Sequence, residues 1–214
     1  MVGATVALTL VMAACGDDAA TVTTQDQPMA TGLTTAPTAD TSDASTTPAE
    51  SLLTNALDNV GARYAFTATV TLDGVETTGI VGTVYDGTGA YVVTSVSATV
   101  DYVVGPDGQW ARQEGGVWTP LAAAAPLVDQ LTPLAHPLRI DVIESDGDNA
   151  LLVTAYTGTD LGFAADGEVT VTIVITGGAV TAISYEAPVG NGTATVTTTF
   201  DPTADVAPIQ VPPA

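Results

Sequence analysis

Lysine is absent from this chain, and so is any surplus of positive charge: 3 arginines stand against 24 Asp and Glu, for a net charge of −21. A protein that neutralises phosphates needs a basic patch, so nucleic-acid binding is excluded as a function. Attraction to anionic lipid headgroups fails for the same reason. There is 1 cysteine, so no disulfide can form within the chain and a folded domain must be held by its core. With 1 histidine, His136 between Ala135 and Pro137, the chain lacks the His/Cys cluster that zinc requires. A Ser-His-Asp triad would have to use that histidine, and no Gly-x-Ser-x-Gly elbow accompanies it. Phosphate-cradling Gly-Lys-Ser/Thr is missing too. Asp146-Gly147-Asp148-Asn149 lacks the spacing and distant Glu of a calcium loop and reads as a turn. No two of the many carboxylates are singled out as a glycosidase pair. The expectation is therefore a non-enzymatic protein with no catalytic residue, no metal and no cofactor.

What is present begins with Cys15. It follows the apolar run Val6-Ala7-Leu8-Thr9-Leu10-Val11-Met12-Ala13-Ala14 and precedes Gly16-Asp17-Asp18. That order resembles a bacterial lipoprotein signal, in which the thiol takes a diacylglyceryl group and small residues admit the peptidase. Two departures are visible: Met12 stands where Leu, Val or Ile is usual, and Met1-Val2-Gly3-Ala4 carries no positive charge. A start upstream of Met1 would account for the second. The alternative is a buried free cysteine after an ordinary apolar helix, but about a dozen apolar residues suit a signal core and are too few to span a bilayer. The expected organisation is a signal peptide over 1–14, a disordered Thr/Ala/Asp/Pro-rich tether over 15–46 and one domain over 47–214. The membrane partner is reached through acyl chains on Cys15, which places the domain on the extracytoplasmic face of the cell membrane.

Thr47-Pro48-Ala49-Glu50 is a capping box with Pro at the first helical position, and Leu52, Ala56 and Val60 follow at helical spacing before Gly61. Tyr64–Leu72 alternates apolar residues with Thr, Asp73-Gly74 turns the chain, and residues 75–85 return. Gly79 and Gly82 in that return suggest a bend or bulge. Over 92–104 the even positions form a nearly continuous apolar face: either one long strand, or two strands split by a reversal near Ser95–Ser97. Both tryptophans, Trp110 and Trp118, fall in the next hairpin, as cross-strand core or as a sugar-stacking or cavity-mouth pair. Residues 120–137 carry Leu121, Leu127, Leu131 and Leu134 between Pro126, Pro133 and Pro137, which predicts short helices forming a flap. Strands resume over 138–144, 150–156, 168–175, 179–187 and 193–200. The sum is an α+β domain on one large antiparallel sheet.

The anchor and tether, the helix over 48–60, Asp107-Gly108-Gln109-Trp110-Ala111 before Gly115-Gly116-Val117-Trp118, the flap, and the hairpin from Gly177-Gly178 into Ala179–Tyr185 carry a resemblance. In this order they resemble the LppX/LprG-type mycobacterial lipoproteins, relatives of the LolA/LolB carriers, over residues 48–205. The resemblance implies a curled antiparallel half-barrel with short helices over its concave face, enclosing a cavity for a lipid, glycolipid or acylated molecule that is carried or presented. It also implies an envelope transport protein as partner. Ala68, Val70, Val96, Ala98, Val100, Val171 and Ile173 are small or β-branched and leave space if they face inward, with Phe66, Tyr102, Leu127 and Leu131 as further cavity residues. Leu127 and Leu131 would face the concave side as a gate. The same residues equally make a closed core, in a domain that contacts a protein and carries nothing. Anchoring has a direct measurement: in the native host an acyl probe should label the chain, and Cys15→Ala should abolish the label and release the domain. Label that survives the substitution would remove the anchor.

Overall fold

The computed structural model describes residues 47–121, 131–161, 167–189 and 192–212. The expected signal peptide over 1–14, Cys15, the expected tether over 15–46, and residues 122–130 of the expected flap, Leu127 among them, lie outside the described residues. Thr47 opens helix α1 (Pro48–Asp58): its hydroxyl accepts from the Glu50 amide at 3.2 Å, and the Glu50 carboxylate accepts from the Thr47 amide at 2.6 Å. Two of the orphan donors at the helix start are thereby satisfied, as the capping box requires. The buried stripe is Leu53 and Ala56, continued by Val60 just past the helix, while Leu52 and Leu57 pack at its margin. The stripe is therefore turned by one position from Leu52/Ala56/Val60. Asn59 then ties the helix end to the sheet, its side-chain amide donating to the Gly178 carbonyl at 2.9 Å.

Among the described residues the strands form one open antiparallel sheet of 11 strands. The first six are β1 (Arg63–Leu72), β2 (Val75–Tyr85), β3 (Thr88–Ser95), β4 (Thr99–Gly105), β5 (Gly108–Gln113) and the two-residue β6 (Thr119–Pro120). A 3-10 turn at Thr132–Ala135 leads to β7 (Arg139–Asp146), β8 (Asn149–Thr157), β9 (Glu168–Thr176), β10 (Ala179–Val189) and β11 (Gly192–Asp201). Spatial order is β6-β5-β4-β3-β2-β1-β11-β10-β9-β8-β7, so two hairpin meanders meet at the β1–β11 ladder. The Asp-Gly dipeptides do what tight hairpins ask: Asp73 (φ 49°) with Gly74 (φ 81°) and Asp86 (φ 48°) with Gly87 (φ 82°) supply two consecutive positive φ values.

The structure corrects one sequence expectation here, the bulge at the β2 glycines, and decides between two others by splitting residues 92–104. The bulge in β2 is not at its glycines: Thr77 is the unpaired residue, and its hydroxyl donates to the Val70 carbonyl at 3.1 Å. Gly82 stays in register and serves packing, since a Cβ there would lie 2.6 Å from both the Phe66 ring and Tyr91 Cβ. The stretch 92–104 is split by a reversal at residues 95–98, with Thr94 opposite Thr99. Four turn residues shift the alternation, so Tyr91 and Val93 share a face with Val100 and Tyr102. Val96 sits in the turn, 90% exposed, and Ala98 is exposed beside it. Neither lines the inner face. The packing role of Gly82 predicts that Gly82→Val destabilises by about 1–3 kcal/mol through overpacking, read by urea unfolding. Gly79→Val, whose Cβ meets only the Glu76 carboxylate at 3.5 Å, should change stability far less. Equal effects would show that the two rings can step aside.

Candidate ligand-binding face

Strand alternation sends one set of side chains toward α1, and this face divides into two regions. Over β8–β11 it is filled. Leu152, Tyr156, Val171 and Ile173 are fully buried in one cluster with Leu53, Ala56, Val60 and Leu134. The Tyr156 phenol donates to the Leu134 carbonyl at 3.0 Å, fastening the 3-10 turn to β8. Across the middle runs an aromatic row: Phe200 against Tyr64 at 5.9 Å between ring centroids, Tyr64 against Phe66, Phe66 against Tyr91 at 6.5 Å, and Tyr91 stacked on Tyr102 at 5.2 Å. Tyrosines thus supply the bulk that three phenylalanines could not. Each of these tyrosines sits at a buried-phase position of its strand.

The second region lies on β1–β4. Ile80, Val93 and Val100 are direct cross-strand neighbours in one row, and all three are only half-buried. Val70, one step along β1, is half-buried as well. Leu121 and Leu131, at the two described ends of the connection from β6 to β7, both pack against the cluster while remaining partly accessible. Of the residues assigned to a cavity, then, Val100 belongs to this row and Val70 lies on the same face of β1, while Leu131 is half-buried against the core cluster. Phe66, Tyr102, Val171 and Ile173 are packed in the core cluster instead.

His136 is exposed at the end of the 3-10 turn, and no group of three metal-ligating side chains occurs among the described residues. No helix among them is long and apolar enough to cross a membrane. The tryptophans part company. Trp110 is buried on the face away from α1, paired across from Val103 and Pro120. Trp118 is half-buried on a loop, with the Arg112 guanidinium 4.5 Å from its ring. No family model and no curated protein matches this chain.

Burial raises the phenol pKa values of Tyr91, Tyr102 and Tyr185, and pushes Tyr156 up to about 12 from an ordinary 10. The folded chain therefore holds protons that the unfolded chain releases above pH 10. The stability they contribute is complete below pH 10 and is lost as pH rises through about 12. Tyrosinate absorbance from Tyr91, Tyr102, Tyr156 and Tyr185 should appear together with loss of near-UV dichroism in one cooperative alkaline step. Ionisation of these four phenols near pH 10 with the fold intact would contradict this packing.

Proposed function

We propose that this is a lipid-anchored envelope protein of the LppX/LprG type whose sheet curls into a half-barrel and binds an acyl-bearing ligand against the shelf on β1–β4. The carrying observation is the half-buried row Ile80–Val93–Val100. A monomer gains by burying such a row, and α1 instead packs on β7, β10 and the 3-10 turn. Leu131, at the far described end of the β6-to-β7 connection, is half-buried against the same core cluster that this row adjoins. Cargo held there would be handed on to, or received from, an envelope transport protein.

The filled half of the face favours a second reading, a partner-binding or sensor domain that carries nothing. Native mass spectrometry of the full chain from its own host, released from detergent micelles, separates them. Carriage predicts a co-purifying lipid of discrete mass. Replacing Val93 and Val100 together with Asp should cut its occupancy at least tenfold, and Leu131→Asp should lower it independently, while the melting temperature falls modestly. A ligand-free spectrum, with a protein captured by cross-linking, would favour the second reading.

A further inference from the structure

We infer that the sheet face opposite α1 holds a second binding site, for a neutral saccharide chain. The place follows from register. On each strand the residues flanking Phe200, Phe66, Gly82, Tyr91 and Tyr102 point away from the core, and there they line an open groove of about 680 Å³. It crosses β11, β1, β2, β3, β4 and β5, a span of roughly 24 Å at the usual strand spacing. A twisted sheet is saddle-shaped: one that curls around its strands on one face is hollow along them on the other.

The groove's chemistry narrows the occupant. Its floor carries Ala65, Val81, Ala90 and Val92, with Val81 61% exposed. Hydroxyls of Thr67, Thr83 and Thr199 alternate with this hydrocarbon, and the Thr67 and Thr199 oxygens stand 2.6 Å apart. At the β5 end Trp118 lies against the Arg112 guanidinium, which Asp101 pins at 2.6 Å, so the indole is held before any ligand arrives. At the β11 end the Asp201 carboxylate accepts from the Thr203 amide and hydroxyl, which hold its pKa below the usual carboxylate range.

An anionic polymer is disfavoured, because all three arginines are already paired with carboxylates and the net charge is −21. An acyl chain would cover Asp101 and Asp201 without replacing their water. A peptide adding as a strand needs a sheet edge, and this is a face whose backbone is already bonded. A sugar chain answers each demand: C–H faces for the valines and indole, hydroxyls that donate to carboxylates and exchange bonds with threonines, and no charge.

The site does not depend on the acyl-ligand reading, and its test is separate. The full chain in mild detergent is run by affinity electrophoresis through gels containing dextran, mannan, xylan or arabinogalactan, with polygalacturonate as the anionic control. At least one neutral polymer should retard it and shift its tryptophan emission. Trp118→Ala should weaken that retardation at least tenfold, and so should Val81→Glu, a change at a position 61% exposed, with the melting temperature of each variant measured alongside. The Val93/Val100 double Asp variant should be retarded like the parent. Retardation by no neutral polymer, preference for polygalacturonate, or parental behaviour of both Trp118→Ala and Val81→Glu would overturn the site.

Discussion

The β1–β11 ladder is the contact on which the rest of this fold depends. Every other strand pairing joins neighbours in the sequence through a hairpin, so each meander can form locally. β1 and β11 instead bring Phe66 opposite Phe200 and Val70 opposite Val196, across more than half of the chain. Closing so long a loop has an entropic cost that local hairpins avoid, and it must be met by burial at the seam. The seam is where burial is dense: Tyr64, Phe66 and Phe200 form one aromatic group, with Ala68 and Thr198 closed in beside them. No disulfide assists, so a single large-to-small change here acts on both halves of the sheet at once.

Much of this architecture was legible because strands write a period of two. Tyr64, Phe66 and Ala68 inside with Thr67 outside could be read directly, as could the Asp73-Gly74 and Asp86-Gly87 turns and the α1 cap. Where period alone was used, it failed at a turn. Val92, Thr94 and Val96 look continuous with Val100, Tyr102 and Val104, but the reversal at 95–98 puts the first three on other faces. Ser95 supplies a local reason that no apolar count contains: its hydroxyl and amide both bond Ala98 and close the turn.

The site was less legible than the fold, because the same small or β-branched residue serves a filled core and an open shelf. Val171 and Val100 are alike in the sequence. One is fully buried beneath α1, and the other is half-buried in a row that α1 does not reach. Only the strand order tells them apart, since it sets β9 beneath the helix and β4 six positions along the sheet. Gly82 taught a similar lesson. Glycine in a strand signalled curvature, yet its purpose is to let two rings meet over a bare backbone, while a threonine provides the bulge.

The strong negative charge also reads differently once the turns are known. Asp73 and Asp86 occupy left-handed positions where Asp is tolerated better than most residues, and Asp73 additionally accepts from the Thr193 amide at 3.0 Å. Asp201 closes β11 by holding Thr203. Asp86 and Asp101 each neutralise an arginine, and Asp141 and Glu168 share a third. These acids are where hairpin chemistry and cation pairing put them, so they do not by themselves mark a surface for basic partners. What the charge does impose is selective: with no cation left unpaired among the described arginines, neither face of the sheet is suited to an anion. A ligand at either proposed site would have to be recognised by shape, apolar surface and neutral hydrogen bonds, which is what the side chains of the Ile80–Val93–Val100 row and the Trp118 groove have to offer.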